Sequence, residues 1–518
     1  MNRSTKIHEL SRLTLTLNKD ACLLPSFFAG LLIPFGFAPF HLPGLSILGL
    51  ALLFRLIQHQ TPKRSLYAGF AFGLGFFGLG VSWVYVSIHQ YGHFNPLISA
   101  LITFLFIVYL AIYPALVAFV YSILAVKRSL LFSCVLFSAL WCASEFLRAT
   151  LMGGFPWLLL GFGQMDTPLR YLLPIFGIYG VSFFVCFAAA CLTTSMQSDY
   201  RQRCIWIIAF VVIILSPTML KNIEWVTIEN SPQSVGIIQA NLSMRDKWDE
   251  SLFWQLLQQY KEKFDQLIGK DKLIVMPESA IPVPANYVEE FLDNLHQQAF
   301  RSGTSVLLGI PKPTSVDETK YYNTMMALGA AEGSYLKQHL VPFGEFIPQP
   351  FQAFMNWLAL PSGDMKAGIT EQPLIHIKNH PVASLICYEL AYPQLLRKQL
   401  PNARWIVSIS DDGWFGHSFA MYQQLQIAQA LSMQTARFQV VSNNDGLSSL
   451  INTKGDIIAS LPAFSAGVLE GTIYPAIGSS PWVIVGDMPM LFLCFLIIIF
   501  SIFLTFIQRK STKTTELK

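Results

Sequence analysis

Charge is what this chain has least of. Only 13% of its 518 residues are Asp, Glu, Lys or Arg, while 53% are hydrophobic; a soluble globular protein carries about 25% charged residues. That scarcity excludes an ordinary water-soluble protein and points to the membrane. No block of like charge and no low-complexity tract or internal repeat is present, and the net charge is +4. Nothing here suggests a nucleic-acid partner. Cysteine is sparse in a more telling way. Of eight, Cys22, Cys134, Cys142, Cys186, Cys191, Cys204 and Cys494 fall in or beside long apolar stretches, where a small packing residue is the ordinary role. Cys387 alone lies elsewhere. It has no disulfide partner within its region, and no Cys/His spacing suits zinc.

The apolar residues are gathered into runs. Residues 21–54, 91–126, 171–198 and 488–508 contain no Asp, Glu, Lys or Arg, and about 20 apolar residues suffice to cross the hydrocarbon core. Pro34, Pro39 and Pro43 divide the first run. Eight spans are expected, at roughly 21–37, 44–58, 66–88, 96–125, 129–147, 171–195, 204–220 and 488–507. Pro114 is expected to kink the long fourth span, and the glycines of "GFAFGLGFFGLG" suit close helix packing. No small-residue cleavage site follows the first span, so it is not expected to be a removed leader.

Loop charge sets the orientation. One alternating set of loops and termini holds 15 Lys and Arg residues, and the other short loops hold only Arg148 and Arg170. Both termini are therefore expected in the cytoplasm, and the segment between spans seven and eight outside it. The division expected is a cytoplasmic N-terminus at 1–20, a membrane domain at 21–222, an external domain at 223–482, a last span at 483–508 and a basic tail at 509–518.

The external segment reads differently. Short apolar runs such as "SVGIIQA", "KLIVMPE", "SVLLGI", "VASLICYE" and "RWIVSIS" are separated by amphipathic stretches, the pattern of a layered α/β domain. The runs are continuous rather than alternating, as for strands buried on both faces. Cys387 ends one of them. A thiol there is either inert or a nucleophile, and a nucleophile needs a base and oxyanion donors. His296, His339, His376, His380 and His417 offer no arrangement that links to it. Glu278 closes "KLIVMPE", and "GSYLKQHLVPFGEFIP" sets Lys337 eight residues before Glu345. Spacing alone leaves these as ordinary charged residues or as catalytic ones.

"VMPESAIP", "KQHLVPFGEFIP", "LICYEL" and "SDDGWFG", in this order, resemble the Glu–Lys–Cys motifs of the nitrilase, or carbon–nitrogen hydrolase, superfamily. With the flanking spans, "SEFLRATLMGGFPWLLLGFGQ" and "NLSMRDKWDE", the whole chain resembles the apolipoprotein N-acyltransferase family. The resemblance implies an αββα sandwich outside the membrane and an acyltransferase of the bacterial inner membrane. It implies Cys387 as the acyl-carrying nucleophile on a sharp turn, Glu278 as general base and Lys337 as oxyanion donor, with the Tyr388 N–H as a second donor. Glu345 and Glu389 match further positions that orient Lys337 and shape the pocket. Trp248, Tyr388 and Trp414 match aromatic positions at the site or its loops, where plain packing is the competing role. The implied partners are a phospholipid acyl donor and a diacylglyceryl apolipoprotein acceptor. No metal or cofactor is implied, and nothing requires more than a monomer.

The chain departs from the family at several points. Gln424 follows Gln423 where a Gln–His pair is usual, Gln434 and Ala436 stand where an acidic residue and a glycine are usual before Arg437, and Asp411–Asp412 replaces Asn–Asp. Glu145 and Arg148, at the end of span five, are either an interfacial anchor or functional. The same triad also serves hydrolysis of small C–N substrates, so a membrane-anchored amidase is the alternative, and a non-catalytic scaffold a third. Eight spans favour a lipid substrate.

Overall fold

The computed structural model describes residues 22–92, 94–247, 249–269, 272–314, 320–347 and 365–516. Trp248 and the N-terminal basic segment lie outside the described residues. Apolar helices form at all eight expected stretches. Their starts are written locally: Thr61, Asn95, Ser129 and Asp199 each accept a hydrogen bond from the N–H three residues on, and Pro62 and Pro96 occupy first-turn positions. Such caps satisfy N–H groups that have no partner within the helix.

Length separates these helices into two kinds. Among the described residues, Pro96–Leu124, Leu130–Gly153, Pro168–Gln197, Tyr200–Leu220 and Met488–Gln508 are long and apolar enough to cross a membrane. Pro62–Gly80 and Val84–Tyr91 make a sixth span if the pair is counted as one, bent by 60°. The first two helices, Leu23–Leu31 and Pro43–Ile57, have 9 and 15 residues. At about 1.5 Å per residue neither reaches the roughly 30 Å of a hydrocarbon core. The prolines that divide the first run leave it too short on either side. The helix Pro96–Leu124 runs through Pro114 without a break. The glycines of the third stretch pack as expected: a Cβ on Gly69 would lie 2.5 Å from the Pro114 carbonyl oxygen, and one on Gly73 2.6 Å from the Ala111 Cα.

Between these helices the chain builds two sheets. One runs, in spatial order, Gly467–Ile473, Gln233–Gln239, Leu273–Val275, Ser305–Pro313, Tyr321–Gly329 and Ser334–Leu336. The other runs Ile457–Ser460, Ser449–Ile451, Gln439–Asn443, Ile406–Ser410, His380–Ile386, Ile375–Ile377 and Ala331–Glu332. Side chains alternate across each strand. Val235, Ile237, Leu273 and Val275 meet Ile386, Val407, Ile409 and Val440 between the sheets. Ile238, Ile274, Val306 and Leu308 face outward onto the helices Phe253–Leu267 and Glu289–Ser302. The result is the expected αββα order of layers.

The fourth layer, chiefly the helix Ala420–Thr435, packs on its other side against the apolar helices. Ile427 and Leu431 share one buried cluster with Leu385 and Ile406 of the sheet and with Trp157, Phe162 and Ile178 of the membrane half. The sandwich has no separate core on that side. Where the chain enters and leaves it, Val226–Ile228 and Ala476–Gly478 pair as a short antiparallel ribbon.

Candidate active site

The central strands of each sheet are parallel: Gln233–Gln239 with Leu273–Val275 and Ser305–Pro313, and His380–Ile386 with Ile406–Ser410 and Gln439–Asn443. Glu278 follows the C-terminal end of one such strand, Cys387 of another and Asp411 of a third; Lys337 follows the edge strand Ser334–Leu336. Crevices at the C-terminal ends of parallel strands are the usual ligand sites of α/β proteins.

Each residue is held by its backbone. The segment after Val275 passes so close to Gly309 that a Cβ there would lie 2.6 Å from the Glu278 Cα. Cys387 sits at φ +55°, in the left-handed region that non-glycine residues seldom occupy. It opens a short 3-10 turn, Cys387–Ala391, so the thiol stands at a sharp strand-to-turn corner. Strain of that kind gathers at functional sites.

Lys337, 1% exposed, lies between two carboxylates. Its Nζ is 3.1 Å from Glu278 Oε1 and 2.9 Å from Glu345 Oε1. Asn323 Nδ2 donates to the same two oxygens, at 2.7 and 3.0 Å. The outer oxygens are also fixed, Glu278 Oε2 by the Asp411 N–H at 3.1 Å and Glu345 Oε2 by the Val341 N–H at 2.8 Å. Burial alone would lower the lysine pKa, but Glu278 and Glu345 outweigh it and hold the ammonium well above its ordinary value. For Cys387, half-buried, burial and then the Glu278 charge push the thiol well above its usual range, with Lys337 pulling the other way. A resting thiol beside a hydrogen-bonded carboxylate and an ammonium is equipped for proton transfer coupled to nucleophilic attack.

Glu389 does not touch Lys337 directly. One oxygen takes the Tyr335 hydroxyl and the N–H groups of Gln338 and His339, at 3.0, 2.7 and 3.1 Å, and the other takes the Ile386 N–H at 2.8 Å. It thus joins the backbone after Lys337 to the residue before Cys387. Burial pushes its pKa up to about 7 despite three backbone donors.

Two carbon-nitrogen hydrolase features, the layered fold and the Glu–Lys–Cys grouping, therefore meet an apolar helical half. A carbon-nitrogen hydrolase family model matches residues 234–479, and one described as the apolipoprotein N-acyltransferase N-terminal domain matches residues 29–191. The apolipoprotein N-acyltransferase of Methylococcus capsulatus is 36% identical over 476 residues, 91% of this chain and 94% of that protein. The chain belongs to the apolipoprotein N-acyltransferase family. That of Coxiella burnetii is also 36% identical, over 88% of this chain and 94% of its own. Membership makes this chain an acyltransferase. Among solved structures, a CN-hydrolase superfamily protein from Xanthomonas campestris overlays with a TM-score of 0.36 at 16% identity, covering 47% of this chain and 90% of that one. The C. elegans NitFhit protein gives 0.37 at 15%, covering 47% and 61%.

Of the residues singled out in sequence, Glu278, Lys337, Glu345 and Cys387 come together, with Glu389 beneath. The Tyr388 hydroxyl turns to the membrane half and donates to the Gly154 carbonyl at 3.2 Å. Trp414 is 43% exposed on its loop, edge-on to Tyr91, and its carbonyl accepts from Ser87 Oγ at 2.7 Å. Glu145 and Arg148 are buried rather than interfacial. Glu145 accepts from Trp141 Nε1 and the Leu160 N–H, while Arg148 donates to the carbonyls of Phe155 and Trp157. Gln423 accepts from Trp157 Nε1 at 2.6 Å, and Gln424, the departure from the usual Gln–His pair, donates to Ser410 Oγ at 2.8 Å, so both glutamines join elements around the site. Asn323 and Lys247 join this region with no Glu–Lys–Cys motif to mark them; the one local trace is that Asn323 is an amide inside the apolar run "YNTMMALG".

Proposed function

We propose that this enzyme moves a fatty acyl chain from a membrane phospholipid to the N-terminal amine of an S-diacylglyceryl-cysteine apolipoprotein, through a thioester on Cys387. The observation that carries it is the Glu278–Lys337–Glu345 knot at the corner bearing Cys387, in a sandwich whose fourth layer is shared with apolar helices. A small-molecule hydrolase has no use for that shared layer.

The chemistry runs in two halves. As Cys387 Sγ attacks the ester carbonyl carbon, its proton passes to Glu278. Lys337 and the Tyr388 N–H face the oxygen that becomes negative. Collapse breaks the carbon–oxygen bond, Glu278 protonates the departing alcohol, and a lysophospholipid leaves behind the thioester. The neutral amine of the apolipoprotein then attacks the same carbon and gives a proton to Glu278. The carbon–sulfur bond breaks and the proton returns to sulfur. Exclusion of water keeps the thioester for the amine.

The basic loops favour cytoplasmic ends at 1–20 and 509–518, a membrane domain at 21–222, the sandwich at 223–482 on the periplasmic side of the inner membrane and a last span at 483–508. Phe415, next to Trp414, packs against Trp83 and Trp157 of the membrane half, which suits a site open to lipid. A monomer suffices for this route. Intact mass after incubation with phospholipid is the test, with Cys387→Ala beside it. A fatty-acyl increment removed by hydroxylamine and missing from the variant supports the route; its absence in a protein that cleaves small amides overturns it.

A further inference from the structure

A heavily charged buried place outside the reacting groups lies behind Glu278. Lys247 ends the one-turn helix Met244–Lys247 and is 2% exposed. Its ammonium donates to the Glu278 backbone carbonyl at 3.1 Å and pairs with the Asp411 carboxylate. The Asp411 backbone N–H donates in turn to Glu278 Oε2. The three residues close a ring that grips one glutamate at its main chain and at its reactive carboxylate. Asp411 is itself immobilised, its other oxygen accepting from the Gly413 N–H and Asn444 Nδ2, both at 3.2 Å. Asn444 straps the segment leading to Lys247 by donating to the Leu242 carbonyl and accepting from the Leu242 N–H.

Two more carboxylates crowd this place. Asp412 and Asp445 are buried, and in each one oxygen has no hydrogen-bond partner among the described residues. Burying a charge is costly unless an opposite charge and hydrogen bonds meet it. Lys247 is the cation on this side of Glu278, as Lys337 is on the other.

We infer that Lys247, through Asp411, is a positioning residue that holds Glu278 in register with Cys387 and supplies the counter-charge for the carboxylates behind it. This rests on Glu278 being the base. The groups facing Glu278 are Lys337, Glu345 and Asn323 in front and Asp411, Asp412 and the Cys387 thiol around it. Asp411 and Asp445 face Lys247. Removing the cation makes this cluster harder to ionise, and removing the Asp411 charge makes it easier. The two changes should move activity along the pH axis in opposite directions, which a purely structural contact would not do.

The experiment uses the full-length protein in phospholipid vesicles, with a diacylated lipopeptide as acceptor, over about pH 5 to 9. Lys247→Met should lower kcat by about 10²-fold with KM changed by less than about threefold, the cost of misplacing a reacting group. Its acid limb should move to higher pH. Asp411→Asn, which keeps the backbone N–H and one acceptor oxygen, should move the limb to lower pH. The double variant should bring it back and recover about tenfold of the lost kcat, because the unpaired buried charge is gone. Should Lys247→Met fail to fold, the Asp411→Asn shift and its reversal in the double variant decide the matter. Acid limbs unchanged in the folded variants, or a loss of kcat that follows thermal stability and is not recovered by the double, overturn the inference. Glu278→Gln in the same assay keeps the two ideas apart. If it still forms the thioester, the base assignment falls; if it is inactive while the other variants do not shift, only the role of Lys247 falls.

Discussion

The Tyr388 hydroxyl, one residue past the candidate nucleophile, donates to the carbonyl of Gly154, 234 residues earlier in the chain. Tyr392 donates to the same carbonyl at 3.1 Å. The loop they reach is in turn gripped by Arg148 through the Phe155 and Trp157 carbonyls. The corner carrying the thiol is thus tied to the end of the helix Leu130–Thr150. Replacing both tyrosines by phenylalanine removes two donors, each worth about 0.5–1.5 kcal/mol. The expected outcome is a thermal midpoint lower by a few degrees and a kcat for acyl transfer about tenfold down, with thioester still detectable by mass. An unchanged kcat would mean that the tie serves packing alone.

Lys337 separates Glu278 from Glu345. Lys337→Met leaves two carboxylates sharing Asn323 with no cation between them. Removing one partner of a buried pair costs about 3–5 kcal/mol, and loss of Lys337 as the proposed oxyanion donor costs about 10²–10³ in kcat. Adding Glu345→Gln should restore much of the stability and none of the activity. Calorimetry and acyl transfer on the same preparations check both halves.

Gly309 is needed as a neighbour of Glu278 rather than for its own conformation. A Cβ there meets the Glu278 Cα, the Pro277 carbonyl oxygen and the Ser279 nitrogen, each at 2.6 Å. All are backbone or Cα atoms, so Glu278, the proposed base, must move. Gly309→Ala should cost about 1–3 kcal/mol of overpacking and about 10²-fold in kcat. Gly467→Ala is the control. Its Cβ would meet nothing closer than 3.5 Å, and activity should stay near that of the parent protein.

Glu389 links stability to pH. Burial raises its pKa from 4.5 to about 7, so its stabilising contribution is complete below about pH 4.5 and fades as pH rises through about 7. The shift corresponds to about 3 kcal/mol at 1.36 kcal/mol per unit. Asp445, raised to about 7 by burial and then by Asp411, acts in the same direction. Glu389→Gln should lower the thermal midpoint at pH 5, where an acceptor is lost, and flatten its decline between pH 5 and 7.5. An equally steep decline in the variant would remove Glu389 from the account.

Much of this architecture was legible because burial writes itself locally. The apolar runs within "SVGIIQA", "SVLLGI" and "VASLICYE" form strands because their side chains are better out of water, and such runs lead to Cys387 and, at the end of "KLIVMPE", to Glu278. The span count was less legible. Hydrophobicity marks all eight stretches, but it does not show that prolines leave the first helix nine residues long or that the third bends by 60°. Contacts between distant segments were not legible at all. Asn323 looks like an interruption in a strand until two carboxylates converge on it. Lys247 looks like one more charge beside a tryptophan until the strand ending in Ser410 brings Asp411 to it. Glu389, expected to orient Lys337, instead accepts from the main-chain N–H groups of Gln338 and His339.

The cluster that Ile427 and Leu431 share with Trp157 and Ile178 makes the two halves a single hull. A fragment cut at the waist would present an oily flank to water and invite clumping, however well its strands were paired. Detergent or lipid is therefore part of the recipe for the sandwich as much as for the helices. Any attempt to trim this enzyme to a water-soluble reagent has to re-plate that flank first.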